Sequence, residues 1–191
     1  MEPFKDVSSG LQFVFSDSWS DVIQFDEHPD VIKHANGLSC IDFAGVFSGK
    51  KLVLIEAKNF KNRPSHQHHS IIERLGSKGV SPLADEIAVN MKDFVVFVTY
   101  LVQKAKTENG VFWDQMKANL FEKDITCVLW LETDLVYDGM PRGRVLAARA
   151  TTEDNLKRKL KWLTEKGNVF IASQSGPESF IDNLHVSFLK S

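Results

Sequence analysis

The chain has 191 residues, of which 43% are hydrophobic and 25% charged, and its formal net charge is −2. This composition is typical of a soluble globular protein and excludes collagen-like, low-complexity and disordered chains. The length fits one hydrophobic core, and we expect a single domain over residues 1–191. Because the net charge is near zero, nucleic-acid binding would depend on how the charges are distributed rather than on their sum.

The two cysteines, Cys40 and Cys127, both lie in apolar, strand-like surroundings. This favours buried free thiols in a reducing compartment over a disulfide bond. No Cys-x-x-Cys pair occurs, which argues against a thiolate zinc site. The N-terminus is polar and unlike a signal peptide, and the longest apolar run, residues 94–102, is too short to span a bilayer. We therefore expect a cytoplasmic protein without a membrane partner.

The N-terminal half is predicted to contain strands, a short helix and a hairpin. The elements are a strand at residues 11–15, a short helix around residues 22–25 that Pro29 ends, and two strands at residues 40–47 and 52–60. Ser48-Gly49, between the last two strands, is a hairpin turn signal. Residues 61–80 are polar and are predicted to form a loop with one helical turn near Ile71.

The longest predicted helix begins at Ser81-Pro82, where serine caps the helix and proline fits its first turn. Asp85 and Glu86 suit the positive end of the helix dipole. We expect this helix to run to about Lys106. Its second half is apolar on all sides and must therefore be buried.

The C-terminal half alternates between predicted strands and a helix. The strands are residues 125–131, 145–150, 169–172 and 184–189, and an amphipathic helix opens at Thr151-x-x-Asp154 and ends at Gly167. The whole order predicts an α/β domain built on a mixed β-sheet with helices on both faces.

Three charged residues interrupt the two strands of the predicted hairpin, which are otherwise almost entirely apolar: Asp42, Glu56 and Lys58. Strands that are apolar on both faces are normally central in a sheet, where an unpaired charge costs several kcal/mol. Glu56 and Lys58 are two residues apart and share one face of their strand. A two-residue hairpin loop would put Asp42 on the opposite face. A three-residue loop, Phe47-Ser48-Gly49, pairs Asp42 with Leu54 and places it diagonal to Glu56, with Gly49 in the left-handed conformation.

These residue types suit the hydrolysis of a phosphodiester bond. Two converging carboxylates are hard oxygen ligands for Mg²⁺ or Mn²⁺. A divalent ion can activate water and stabilise charge on the phosphate, and a neighbouring lysine can orient that water. The competing interpretation is a buried ion pair between Lys58 and either acid in a domain without activity.

The Asp42…Glu56-Ala57-Lys58 pattern across a hairpin resembles the signature of the PD-(D/E)XK, or restriction-endonuclease-like, nucleases. The segments Asp26-Glu27-His28, 41–45, 54–60 and 83–86 are similar to a bacterial branch of that class. The resemblance covers roughly the first hundred residues. It implies a restriction-endonuclease-like core, metal binding by Asp42 and Glu56, assistance to the nucleophile by Lys58, and cleavage of nucleic acid, preferably DNA. In this class a homodimer or a partner subunit often supplies specificity.

Several other residues are candidates for the same function. Glu27 precedes the hairpin where the resembling class often supplies another acid, so it is a candidate third metal ligand, and the alternative is a solvated turn. The candidate nucleic-acid contacts are Lys92, Arg142, Arg144, Lys157, Arg158 and Lys161, together with Lys159 on the same basic helix. His66, His68 and His69 are interpreted as a solvated loop rather than a metal site, with contact to a substrate phosphate as the functional alternative.

Overall fold

A computed structural model describes residues 3–35, 37–101, 109–174 and 183–189. The strands are β1 (Phe4–Asp6), β2 (Leu11–Phe15), β3 (Trp19–Gln24), β4 (Phe43–Phe47), β5 (Lys51–Asn59), β6 (Asp124–Glu132), β7 (Val169–Ala172) and β8 (Leu184–Phe188). The helices are α1 (Pro29–His34), α2 (Ser65–Leu75), α3 (Pro82–Val96), α4 (Gly110–Glu122) and α5 (Arg142–Lys159). A π-helical turn, Phe97–Leu101, follows α3, and a 3₁₀ turn, Lys166–Asn168, precedes β7.

The central sheet has five strands in the order β3-β4-β5-β6-β7. Strands β3, β4 and β5 are antiparallel neighbours, whereas β5, β6 and β7 run parallel. The mixed sheet predicted from the sequence is therefore confirmed. A second sheet of three antiparallel strands has the order β1-β2-β8.

The two faces of the central sheet are covered differently, and the expectation of helices on both faces is wrong. On one face, Leu52 and Leu54 of β5 pack in a core with residues of all five helices. On the other face, Val53 and Ile55 pack against Phe13 and other apolar residues of the three-stranded sheet. The alternating burial of β2 supplies that apolar second layer. Because β5 is covered on both sides, its sequence is almost continuously apolar.

Three element assignments from the sequence are wrong. Residues 22–25, expected in a helix, lie mostly in β3, which pairs with β4 through a bulge between Ser20 and Ile23. Residues 145–150, expected in a strand, lie inside α5, whose alanines and leucine favour helix. Residues 65–75, expected in a loop, form α2.

The long helix that begins after Ser81 is shorter than expected. Ser81 caps it as predicted, because its Oγ accepts the backbone N–H of Ala84 at 3.1 Å. The regular α-helix ends at Val96 and continues as the π-helical turn to Leu101. Residues 102–106, the expected end of the helix, lie outside the described residues. Helix α4 was not predicted.

Both cysteines are free thiols, as predicted, with Cys127 buried and Cys40 half-buried. None of the helices in the described part of the chain is long and apolar enough to cross a membrane.

Candidate active site

The β4–β5 hairpin brings Asp42 opposite Glu56. Its three-residue loop is Ser48-Gly49-Lys50, one residue later than expected, and the ladder pairs Phe43 with Ile55. Extending this register by one residue places Asp42 directly opposite Glu56 rather than diagonal to it, so the predicted pairing is wrong but the shared face is as predicted. Ser48 and Gly49 have φ of 50° and 66°, the left-handed conformations that turns between antiparallel strands use.

Asp42 lies just before β4 and is only 7% exposed. The backbone N–H of Ala57 donates to its Oδ2 at 2.5 Å. The backbone N–H of Phe25 donates to its carbonyl oxygen at 2.7 Å, which ties the end of β3 to the same place. The backbone of Asp42 is thus joined to the end of β3, and its carboxyl group is joined to the backbone of β5. Both contacts fix the position of this buried side chain.

Glu56 and Lys58 project from β5 toward the helices. Glu56 is 1% exposed, and its Oε1 accepts from Lys58 Nζ at 2.8 Å and from Asn90 Nδ2 at 3.0 Å. Its Oε2 is buried and has no hydrogen-bond partner among the described residues. The lysine side chain is 25% exposed. Lys58 therefore sits at the border between a buried acid and the surface.

Helix α3 contributes two contacts that sequence reasoning missed. Asn90 binds Glu56, and Glu86, one turn earlier on the same helix face, binds Lys58 Nζ at 3.2 Å. Glu86 also accepts from Arg74 of α2 at 2.5 Å, so it does more than stabilise the helix dipole. The i, i+4 spacing of Glu86 and Asn90 is a signal for a shared polar face, but the sequence does not show which strand that face meets.

Two further acids lie close to the Asp42–Glu56 pair. Asp6 is 2% exposed; its Oδ1 accepts the backbone N–H of Ser8 at 3.0 Å, and its buried Oδ2 has no hydrogen-bond partner in the described part of the chain. Burial, then the charges of Asp6 and Glu27, raise the pKa of Asp26 to about 6. Glu27, the predicted third metal ligand, is itself exposed, so Asp26 is the residue of that pair that lies against the buried acids.

The electrostatics of the pair favour either a proton or a cation. Burial, then the charge of Glu56, raise the pKa of Asp42 to about 9. Burial also raises the pKa of Glu56, against the opposing effect of Lys58. Burial alone would lower the pKa of Lys58, but Glu56 and Glu86 raise it overall. One ammonium group therefore compensates the two buried carboxyl groups incompletely, and at neutral pH Asp42 keeps its proton unless a cation takes that place.

The fit of this site to a divalent ion rests on the Asp42–Glu56 pair. Within the ranges that the structure describes, no three His, Cys, Asp or Glu side chains are arranged together as a ready ligand set. However, buried carboxylate oxygens of Asp6, Asp26 and Glu56 have no hydrogen-bond partner there. Hard oxygen donors of this kind match Mg²⁺ or Mn²⁺. Asp42 and Glu56 are the residues that would hold such an ion, and Asp6 is the further acid whose charge acts on Asp42.

The basic residues at the end of α5, predicted to bind nucleic acid, contact residues outside the Asp42–Glu56–Lys58 group. Lys157 and Arg158 form the last turn of α5, where Lys157 pairs with Glu153 and Arg158 contacts Asn155 at 2.5 Å. Lys161 follows them, and Lys159 pairs with Asp85 of α3. The chain after α5 reaches the beginning of β6, since Thr164 Oγ1 donates to the Ile125 carbonyl at 2.5 Å. Glu56 and Lys58 instead pair with residues near the end of β6.

The remaining candidates divide between surface and structural roles. Arg142 and Arg144 are exposed in the first turn of α5, where a turn before a strand was expected. Lys92 is exposed on α3, and helical spacing puts it on the face opposite Asn90.

His68 is a structural residue of α2 rather than part of a solvated loop. Its ring accepts the Asp138 backbone N–H at Nδ1 over 2.9 Å, and its Nε2 lies 2.7 Å from the Arg63 carbonyl oxygen. Since Nδ1 is an acceptor, Nε2 carries the proton and donates. His69 pairs with Glu73 on the exposed side of the helix.

The comparisons with known proteins add no relative: no family model, no curated protein and no solved structure matches this chain.

Proposed function

We propose that this protein is a metal-dependent nuclease that hydrolyses phosphodiester bonds, preferably in DNA. One observation carries the proposal: Asp42 and Glu56 lie opposite each other on adjacent strands, both buried, with Lys58 on the same face. A fold gains no stability from two buried acids that share one ammonium group. Such a pair is explained if a divalent cation occupies it during function.

Each side chain has a distinct role in this proposal. Asp42 and Glu56 bind Mg²⁺ or Mn²⁺, which when bound lowers the pKa of water and stabilises negative charge on the phosphate. Lys58 orients the attacking water and neutralises charge that develops on the phosphate. Glu86 positions Lys58, and Asn90 positions the carboxylate of Glu56. Glu27 stays a candidate ligand only through an intervening water, because its side chain is exposed.

A nuclease assay tests the proposal. Purified protein is incubated with Mg²⁺ or Mn²⁺ on plasmid, single-stranded DNA and RNA. We expect cleavage of at least one substrate, and a loss of roughly 10²–10³-fold or more in Lys58→Ala, Asp42→Asn and Glu56→Gln, as when a transition-state contact is removed. Lys50→Ala, in the β4–β5 loop before the start of strand β5, is the matched control and keeps wild-type activity. If all three site variants still cleave the substrate, the activity does not come from Asp42, Glu56 and Lys58, and the proposal is wrong.

A second candidate function, a catalytically silent module that binds nucleic acid or a protein partner, is favoured by one observation. Lys58 is engaged by both Glu56 and Glu86, the contacts expected of a structural ion pair. Thermal melts separate the two functions, because a ligand of the native state raises stability by about 2.7 kcal/mol at a hundredfold excess over Kd. The nuclease should melt at a higher temperature with Mn²⁺ than with chelator, and Asp42→Asn should remove the difference. Identical melts support the silent module.

A further inference from the structure

A groove runs from helix α2 to Lys58 across Phe60. It consists of two adjoining pockets of about 320 and 250 Å³ that share Phe60, Arg63 and Arg74. The first pocket is lined by Gln67, Ser70 and Ile71 of α2, and the second is lined by Ala57 and Lys58 of β5. The groove therefore leads directly to the Asp42–Glu56–Lys58 site.

Among the residues that the structure describes, those lining the groove carry only positive charge. The ionisable residues among its lining are Lys58, Arg63 and Arg74, and the remaining polar lining consists of serine hydroxyls and the amides of Asn59 and Gln67. Glu86 binds Arg74 and Lys58, and Glu56 binds Lys58, but neither acid is part of the lining. Such a surface offers many hydrogen-bond donors to an anion with several oxygens, and a phosphate group is the best match.

Both arginines are held in place while keeping donors for a ligand. Arg74 is fixed by its ion pair with Glu86, and its guanidinium lies over the Phe60 ring at 5.4 Å from the centroid. Arg63 Nη2 donates to the Asn59 carbonyl at 2.9 Å. A guanidinium has five N–H donors, so these contacts leave the planar fork able to bind two phosphate oxygens. Less side-chain entropy is lost on binding when the fork is already oriented.

We propose that this groove binds the backbone of a nucleic-acid strand, with Arg63 and Arg74 contacting the phosphate next to the one that is cleaved. This inference rests on the proposed nuclease function and adds the path of the substrate to it. The strand would enter along α2, pass over Phe60 and present the following phosphate to Lys58. Lys58 lines the groove and also binds Glu56, which supports this order of contacts.

The test is binding of a short fluorescent oligonucleotide of about six nucleotides, within the site sizes of single-strand binding proteins, across a salt series with chelator to prevent cleavage. Each phosphate contact that is lost on a single strand should lower the salt slope by roughly 0.7 unit and weaken binding. We expect this for Arg63→Ala and Arg74→Ala. Lys50→Ala removes one exposed lysine far from the groove and should keep the wild-type slope. Arg63 lies outside the Glu86 ion pair, so its variant decides the result if Arg74→Ala unfolds.

The outcomes separate this inference from the function on which it rests. The groove proposal is wrong if Arg63→Ala binds the oligonucleotide with the same affinity and salt slope as the wild-type protein. It is also wrong if the wild-type protein does not bind the oligonucleotide. Both conclusions hold even if Mn²⁺-dependent cleavage is found. Weakened binding in the arginine variants, without cleavage under any metal, supports the groove and contradicts the nuclease. The groove proposal is also wrong if Lys50→Ala weakens oligonucleotide binding as much as the arginine variants do. Binding would then depend on the total charge of the protein and not on the groove.

Discussion

The buried carboxyl group of Asp42 makes the stability of the metal-free protein depend on pH. Its pKa is raised to about 9 from an ordinary value of 3.8. Between these values the folded protein keeps a proton that the unfolded chain has lost. Folding is therefore disfavoured as pH rises, by up to about 1.4 kcal/mol per pH unit, and there is no penalty below pH 3.8, where both states are protonated. Asp26 and Glu56 act in the same direction because their pKa values are also raised.

We expect the chelator-treated protein to be less stable at about pH 8 than at about pH 5, the reverse of the usual effect of salt-bridged acids. Glu86, whose pKa is lowered mainly by Arg74 and Lys58 against the effect of burial, acts only at more acidic pH. The asparagine side chain in Asp42→Asn cannot titrate, so the free energy of unfolding of this variant should depend less on pH. Urea unfolding at both pH values measures this free energy. An unchanged slope in Asp42→Asn would show that the carboxyl group is ionised in the folded protein.

At the residue scale, the shared face of Asp42, Glu56 and Lys58 could be predicted from the sequence, whereas the residues around them could not. Asp42, Glu56 and Lys58 could be found because charges in apolar strands and the period-two alternation are local signals. Asp6 and Asn90 could not, because they reach the site through tertiary packing. Asp6 is 36 residues before Asp42 in the chain, as their numbers show, and only the fold brings the two acids together.

At the scale of elements, helix α2 depends on a close approach to α5. Gly76 ends α2, and a Cβ atom there would lie 2.7 Å from Thr151 Cγ2 and 3.1 Å from the Ala148 carbonyl oxygen. Thr151 is stiff, since it is β-branched and its hydroxyl donates to the Ala147 carbonyl at 3.0 Å. The glycine is therefore required by space between the two helices rather than by its φ angle.

We expect Gly76→Ala to destabilise the protein by about 1–3 kcal/mol, the typical cost of overpacking. Gly143→Ala, in the first turn of α5, is the matched control: nothing lies within 4 Å of the added atom, so its stability should be unchanged or slightly higher. Denaturant unfolding of both variants gives the comparison. Equal stability of Gly76→Ala and wild type would mean that the helices separate at no cost.

Elements could be predicted correctly where the sequence features that define them are short-range. Strands β4, β5 and β6 carry continuous apolar runs, and the cap at Ser81 is a short-range contact. Strand β3 was predicted as a helix because its apolar spacing also fits a helix, and pairing with β4 overrides that preference. In α5 the stretch from Val145 also fits a strand, because periodicity alone cannot separate a short apolar strand from part of a helix.

At the scale of the whole molecule, the three-stranded sheet does more than cover the central sheet. Asn59 Nδ2 donates to the Ser9 carbonyl at 3.0 Å, and Gln24 Nε2 donates to the Lys5 carbonyl at 3.1 Å. These contacts hold the β1–β2 hairpin against the ends of β5 and β3. The hairpin brings Asp6 to the acid pair and Ser9 to the wall of the groove. The replacement of a second helical layer by this small sheet is thus connected to the candidate site.

The basic end of α5 and the groove differ in their contacts, which decides how the predicted role of that end can be tested. Lys159 pairs with Asp85, the residue before Glu86, so α5 ends beside α3. Lys157 pairs with Glu153 of its own helix and does not line the groove. A short oligonucleotide confined to the groove would contact the residues that line it, whereas a duplex of about 30 base pairs, with 3.4 Å per base pair, is long enough to contact the basic end of α5 as well.

We therefore expect Lys157→Ala/Lys161→Ala to lower the salt slope for the long duplex by roughly one unit per lost contact and to leave binding of the short oligonucleotide unchanged. The Glu153 partner of Lys157 makes the contribution of that residue the smaller one, because its charge is already partly neutralised. Arg63→Ala should weaken binding of both ligands. Binding across a salt series, with chelator, measures all four combinations. A wild-type slope on the duplex would show that the basic face of α5 is only solvated, and Arg142 and Arg144, at the other end of α5, would then be the cations to substitute next.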